Sequence, residues 1–563
     1  MNDSREIDVV SNETVAGPRR VWMPFVWVGG LAALYAGYLM TDAPDDIKNV
    51  VGYIAVAVAL TGLAIWIWRS SGLRGTGRLV AVALTLVVAL FFTPATLFLA
   101  QVLPIEAVHN GDVGIIGWRW RGGEADRDLA PAVANVKEVV ADDPDWSSAA
   151  TDYPRFLGTG FWAEAENVKL DRERLAKSSP KEVWRQRIGA GWSGFAVIGR
   201  RAITQEQRGD DELVTCYDLD TGELIWAHDD PVRWDPSGAG SLGYEGPRAT
   251  PTIHKDRVYA QGATGILNSL ELHTGKVVWS RDVLKENKAQ NVLWGKSNSP
   301  LVFDGVVVVS VGGEDGRSWI AYDAETGDEL WTSGDALSSY ASPVLATLAG
   351  VQQILSVDQG LVRAVRADDS KQLWTYDWPS DSGADAAVSQ PVPLGEDRVF
   401  LSKGYGHGST VLQIKLDGES WDAKPTWRGG KQGVLPVMKT KMGNVVVHEG
   451  YVYGLDEAIL QCVDLKTGRK RWKKRRSPKL GHGQILLVDD VILILSEYGE
   501  VVLVEASPKR YTELASFEAI EGITWNNPTL AGNLLLVRNA LEVACFELPV
   551  VEQEVTEPSE PTE

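Results

Sequence analysis

The sequence predicts an all-β eight-bladed propeller, with four-stranded antiparallel blades closed by its first and last strands, behind an N-terminal bundle of three transmembrane α-helices. Three observations predict it. A hairpin phrase ending in Trp recurs beyond Pro180, as YDLDTGELIW (217–226), LELHTGKVVW (270–279), YDAETGDELW (322–331) and VDLKTGRKRW (463–472). Eight segments of alternating apolar residues run between these phrases. Three long uncharged runs stand near the N-terminus.

Each phrase reads as a strand, a tight Thr-Gly turn and a second strand. Glycine supplies the positive φ such a hairpin needs, and the Asp or Glu before the turn can accept hydrogen bonds from its backbone. Weaker copies end at Trp374, Trp427 and Phe517. The copies recur every 42 to 53 residues or so, the period of a four-stranded blade. The second series is FAVIGRRAIT, PTIHKDRVYA, PLVFDGVVVV, PVLATLAGVQQIL, PVPLGEDRVFL, VVVHEGYVYG, ILLVDDVILI and PTLAGNLLLV. Each pairs an innermost strand with the next one out. The last copy ends at ACFEL (544–548) without an outer strand, and KEVWRQRI (181–188) is an outer strand without a blade. Joining the two closes the ring and removes an open sheet edge.

The apolar runs, 21–40, 50–68 and 79–103, each approach the roughly 20 residues needed to cross a bilayer core. A secretory signal would show a basic start and a single shorter run. Trp22, Trp27, Trp66 and Trp68 lie near span ends as interfacial anchors, and Pro94 is expected to kink the third span. Arg19 and Arg20 precede the first span and Arg69, Arg74 and Arg78 fill the second connection, whereas the first connection carries Asp42, Asp45 and Asp46 against Lys48. Basic loops stay in the cytoplasm, so residues 1–20 are predicted inside and everything after Pro104 outside, in the periplasm beyond a bacterial inner membrane. No span holds an ionisable residue, which favours an anchor over an ion path.

The formal net charge is −20, while residues 1–103 are neutral, so the excess acidity belongs to the outer part. Nucleic acid is excluded as a partner, because a duplex binder needs a clustered basic face. The tail, 549–563, is acidic, rich in Pro and expected to be disordered. Cys216, Cys462 and Cys545 sit in equivalent places of different repeats, without metal-ligand spacing, and are expected to be buried apolar thiols.

The Trp-terminated Thr-Gly hairpin resembles the repeat of pyrroloquinoline quinone (PQQ) propellers over about residues 181–548. With DYPRFLGTGFWAEAENVKL (152–170), GWSGFAV and TQEQRG, the chain is similar to membrane-anchored bacterial proteins with PQQ-like repeats, planctomycete ones among them, and more distantly to BamB-type scaffold proteins. The resemblance implies that Trp184, Trp226, Trp279, Trp331, Trp374, Trp427 and Trp472 pack between blades. It also implies a comparison with quinoprotein dehydrogenases, including the membrane-bound glucose type. Their alcohol-oxidising members carry an adjacent Cys pair and carboxylate and amide ligands to calcium. This chain has no Cys-Cys, a pair that the glucose type lacks too, and no acidic cluster at an inner blade end that matches calcium, so no cofactor is assigned and PQQ with calcium stands as the alternative.

Aligning the eight inner segments places Gly194, Thr250, Ser299, Ser342, Gln390, Asn444, Gln484 and Asn527 just before the first apolar position. Such small polar groups also serve simply to satisfy backbone and channel water. Further upstream stand Trp192, Arg248, Ser297, Tyr340, Val388, Met442, His482 and Trp525, with Lys296 beside Ser297. Both series should surround one mouth of the channel. Trp192, Arg248, Lys296, Tyr340, His482 and Trp525 are the candidate ligand or partner site there, since aromatic residues and Arg are the usual interface anchors. The run RKRWKKRR stands out against the acidity, and Lys473, Lys474, Arg475 and Arg476 form a candidate patch for an anionic partner or lipid headgroup. Residues 104–180 read as a connector that packs partly on the propeller, with a hairpin strand in GIIGWRWRG and a short helix near 132–140. The expected function is a membrane-anchored scaffold or binding module for a protein, peptide or small ligand, without catalysis. The alternative is a PQQ-dependent dehydrogenase passing electrons to membrane quinone.

Overall fold

The repeat phrases fold as hairpins because each turn is held twice. In the first, Asp218 Oδ1 accepts from the backbone N of Asp220 and Thr221 at 3.0 and 2.9 Å, while Gly222 takes φ +75°. Asp464 holds Thr467 in the same way. The computed structural model describes residues 23–39, 45–70, 75–91, 105–109, 112, 115–120, 146–160, 162–234, 245–379, 386–428 and 436–551.

Eight four-stranded antiparallel sheets follow one another in the chain. The first blade consists of Ala196–Ile198, Arg201–Arg208, Asp211–Asp218 and Leu224–Asp230, from inside outward. The eighth takes its three inner strands from Thr529–Ala531, Leu534–Arg538 and Glu542–Glu547 and its outer strand from Lys181–Arg187, which pairs antiparallel with Glu542–Glu547. This is the ring closure expected from the sequence.

The repeat Trp residues join neighbouring blades. Trp226 is fully buried, and its Nε1 donates to the Leu272 carbonyl of the next blade at 3.0 Å. Trp184, Trp279, Trp427 and Trp472 donate to Leu219, Ala324, Leu465 and Ser507 at 2.8–2.9 Å. Each of the first three, and Trp226, also lies over the Thr-Gly turn of the next blade: a Cβ on Gly222, Gly275, Gly327 or Gly468 would come within 2.4–2.8 Å of the ring. The turn glycine thus serves two purposes, a left-handed backbone and room for the preceding blade's indole. Trp374 differs, donating to Gln353 Oε1 at 2.9 Å.

Small residues oppose these rings in the sheet. Cys216, Cys462 and Cys545 pair with Trp226, Trp472 and Trp184, as Ser269 and Ala321 do with Trp279 and Trp331. All three cysteines are free and buried, and burial pushes their thiols up.

Closure is reinforced by a buried polar network between the first and eighth blades. Arg538 donates to Thr204 Oγ1 at 2.9 Å and to the carbonyls of Gln205 and Gly189 at 3.0 Å. Glu206 accepts from Tyr217 at 2.6 Å, from Arg208 at 3.1 Å and from the Gly189 backbone N. Burial pushes the Glu206 carboxyl up, but Arg208, Tyr217 and Arg538 outweigh it and hold it below the usual range.

The N-terminal unit, Met1–Val108 with Asp112–Arg121, is separate by its contacts. It contains three helices, α1 (Met23–Leu39), α2 (Asp45–Ser70) and α3 (Thr76–Phe91), and a two-stranded sheet of Ile105–His109 and Ile115–Trp120. The expected hairpin strand is therefore present. The three-span expectation is not met: among the described residues only Val51–Arg69 is long and apolar enough to cross a membrane. At 1.5 Å per residue, α1 with 17 residues and α3 with 16 reach only about 25 Å. The remainder of the third run with Pro94, Trp22, the leader, the helix expected near 132–140 and residues 552–563 of the tail lie outside the described residues.

Candidate functional site

The innermost strands all begin at one end of the ring, so the residues that lead into them encircle one mouth of the axial channel. A cavity there has an empty volume of about 910 Å³, open solvent at its mouth included. Trp192, Arg248, Tyr340 and Trp525 line it, as do Ser297, Val388 and Met442 from the same alignment position in other blades. Gln390, Asn444, Gln484 and Asn527 complete the wall from the position just before the inner strands.

Two aromatic pairs shape the cup. Trp192 and Trp525 stand with ring centroids 4.9 Å apart, and Trp525 Nε1 donates to Glu497 Oε1 at 2.8 Å. Trp294 and Tyr340 are 5.5 Å apart. Two cations share the wall. Arg248 lies over the Trp234 ring at 5.9 Å and donates to the Gly246 carbonyl at 2.6 Å, and burial pulls its guanidinium down to about 10. Lys441 Nζ sits 5.3 Å from the centre of the Tyr405 ring. Among the described residues no Asp or Glu lines the cup. Glu457 interacts with Lys441, and Glu212 and Glu245 with Arg248, from positions outside the lining.

Two of the six expected residues do not reach the cavity. Lys296 is fully buried behind the wall, with Nζ donating to Ser338 Oγ at 2.8 Å, and burial pulls its ammonium down to about 7. Successive side chains of an extended segment point to opposite sides, so Ser297 takes the lining position and Lys296 the interior. His482 is 2% exposed, its backbone N donating to Glu497 Oε2 at 3.2 Å. Its loop sits against Glu497 so closely that a Cβ on Gly481 would meet that carboxylate at 2.3 Å.

Four lining residues were not anticipated: Trp294, Tyr405, Lys441 and Phe156. Lys441 adjoins Met442 and Trp294 is two residues from Lys296, so reading whole approach loops would have found both. Phe156 had no such signal, because it comes from the connector. Residues 152–160 and 162–165 run along the inner edges of three innermost strands. Tyr153 exchanges hydrogen bonds with Val197 at 3.1 and 2.8 Å, Ile253 N donates to the Pro154 carbonyl at 2.8 Å, and Leu487 bonds Ala163 and Ala165 at 2.7 and 2.9 Å. Phe156 lines both the cup and a smaller adjoining cavity with Arg155, Thr252, Ser299 and Ser342. The connector thus enters the channel as an axial strap and contributes to the cup.

The basic run is partly consumed by ion pairs. Arg476 binds Glu500 at 2.5 and 2.7 Å and Glu513 at 2.9 Å, and Lys473 binds Asp456 at 2.7 Å. Lys474 and Arg475 are exposed. The four residues therefore do not present one continuous cationic surface.

The family model described as outer membrane protein assembly factor BamB matches residues 174–313 and 210–474, together more than half of the chain. A quinohemoprotein alcohol dehydrogenase of Comamonas testosteroni is 24% identical over 287 residues, covering 48% of this chain and 35% of that protein. The outer membrane protein assembly factor BamB of Shewanella oneidensis is 27% identical over 258 residues, covering 44% of this chain and 61% of that protein. Both alignments thus fall short of two thirds of the relative's length. A solved europium-containing methanol dehydrogenase superposes with TM-score 0.53 at 13% identity, covering 71% of this chain and 98% of that one, a likeness of fold alone. The repeat, the closed ring of eight blades and the family match agree: the chain belongs to the PQQ-like β-propeller family.

Proposed function

We propose that this chain is a membrane-anchored, extracytoplasmic binding or scaffold module that takes its ligand or protein partner in the axial cup, without catalysis. One observation carries the reading: in a chain of net charge −20, the described residues that line the axial mouth are aromatic rings, amides and two cations, with no carboxylate among them. Such a cup combines apolar surface with a few converging polar groups, the usual composition of a binding site. Relatives described as assembly factors support a scaffold role.

Anchoring is supported by the helix Val51–Arg69 and by the apolar side chains exposed on the helices, such as Val26, Leu34, Ile54 and Ile65. The loop charges support a cytoplasmic N-terminus and a periplasmic propeller. Glu419 is exposed on a blade turn. Glu419→Cys should be labelled by a membrane-impermeant maleimide in intact spheroplasts; labelling only after lysis would reverse the orientation.

The match to quinohemoprotein alcohol dehydrogenases favours a second reading, PQQ-dependent dehydrogenation. PQQ with calcium does not fit this cup as a pair. Calcium takes six to eight oxygen ligands, whereas among the described residues the lining offers no carboxylate and no group of three His, Cys, Asp or Glu could hold a metal. The full chain in detergent, given PQQ and calcium, is expected to show no stoichiometric quinone absorbance and no dye reduction with sugars or alcohols. Stoichiometric uptake with dye reduction would establish the dehydrogenase instead.

A further inference from the structure

The cup has a feature beyond charge. Gln390 and Gln484 line it on different blades and are 4% and 3% exposed. Gln484 Nε2 donates to the Met442 carbonyl at 2.9 Å, and Gln390 Nε2 to the Val388 carbonyl at 3.4 Å. Those bonds fix both amide orientations, because only the NH₂ group can donate to a carbonyl. The Oε1 atom of each is left buried without a partner among the described residues. A buried acceptor of this kind calls for a donor. The cup therefore offers two acceptors for N–H groups, two cations for an anion, and aromatic walls for an apolar side chain.

A ligand that brings N–H donors, a carboxylate and an apolar side chain within a few bonds of one another is the end of a polypeptide. The molecule already shows that its channel takes up polypeptide backbone, because the strap, although turned between Arg155 and Gly160, is held there by backbone hydrogen bonds to three innermost strands. Strap and cup meet at Phe156. We propose that the cup binds the carboxyl terminus of a polypeptide, with the terminal carboxylate at Arg248 and Lys441, backbone N–H groups donating to Gln390 and Gln484 Oε1, and an apolar last residue against Trp192 and Trp525. This rests on the axial cup being the binding site.

The test uses the immobilised full chain and a synthetic octapeptide pool randomised at its last four positions, prepared as free acids and as carboxamides. Retained peptides are quantified by mass spectrometry. Free acids with apolar last residues should be retained at least tenfold over the matching amides. The difference should vanish in R248M/K441M, and acid retention should fall at least fivefold in Q390L/Q484L, with melting temperatures of both variants near that of the parent. The comparison of acid with amide on the unaltered chain does not depend on any variant folding. Equal retention of acids and amides, or no retention, overturns the proposal. A parallel arm with a set of small organic acids separates the two levels. Retention of such acids that depends on Arg248, without peptide retention, leaves the cup as a site and rejects the peptide terminus; no retention in either arm rejects both.

Discussion

Gly275→Ala is the sharpest perturbation of the blade-to-blade joint. Gly275 has φ +69°, and a Cβ there would lie 2.4 Å from Trp226 Cε3. A left-handed Ala costs about 1–2 kcal/mol, of which the smaller entropy of the unfolded chain returns about 0.5. The ring cannot withdraw cheaply. It is fully buried among Cys216, Ile253 and Val258 and tied to Leu272 by its Nε1 hydrogen bond. Overpacking of a core adds about 2 kcal/mol, giving about 3 in total. Gly305 has φ +79° with nothing within 4 Å of its Cβ, so Gly305→Ala should cost only about 1 kcal/mol. Trp226→Ala should itself cost about 4 kcal/mol, and with the ring gone Gly275→Ala should add only about 1. Urea unfolding of the two single variants and the double variant, followed by far-ultraviolet circular dichroism, measures the coupling. A coupling near 2 kcal/mol is expected; additivity within about 0.5 would refute the idea that one glycine serves both the turn and the ring.

Glu206→Gln weakens the network that closes the ring and should cost about 3 kcal/mol, read from denaturant midpoints. Lys296, with a folded pKa of about 7 against 10.5 unfolded, takes up a proton on unfolding between those values. Stability from this group is therefore present at high pH and lost as pH falls through about 7, with a slope of up to about 1.4 kcal/mol per pH unit, which Lys296→Met should remove in urea titrations from pH 7.5 to 9.5. Glu212 has the opposite sign: buried and pushed up to about 7 from 4.5, its carboxyl contributes stability below pH 4.5 that is lost as pH rises through 7, so Glu212→Gln should flatten that limb. Arg476→Met should lower thermal stability through loss of the Glu500 and Glu513 pairs, whereas Arg475→Met should leave it unchanged within about 0.5 kcal/mol.

The ring was legible because propeller blades repeat. Eight aligned inner segments and seven copies of one hairpin phrase average out the ambiguity of any single strand, and the missing outer strand after ACFEL pointed back to KEVWRQRI. Repetition also located the cup mouth, since Trp192, Arg248, Tyr340 and Trp525 occupy one alignment position in four blades. It could not say which neighbour of an extended pair faces the axis, and so Lys296 was read outward when Ser297 has that place. Ion pairing was equally hidden: Arg476 and Glu500 are 24 residues apart, and nothing in RKRWKKRR reveals that one Arg is held by two carboxylates of the next blade.

The strap lies beyond what periodicity can reach, and it changes what the channel is. A run such as DYPRFLGTGFW has no repeat partner, so its bonds to Val197, Ile253 and Leu487 follow only from the tertiary fold. Each innermost strand of a closed propeller presents one unpaired edge to the axis, and those edges need partners as any sheet edge does. In three blades the connector supplies them from within the same chain. The edge that water or a ligand would otherwise meet is thus already occupied by polypeptide, and Phe156 carries that occupation up to the cup. A ligand entering the mouth meets the connector itself, so the depth of the site is set by a segment outside the repeats. Phe156→Ala should therefore deepen the cup while leaving the eight blades intact, and a larger apolar ligand should gain affinity where the unaltered chain excludes it.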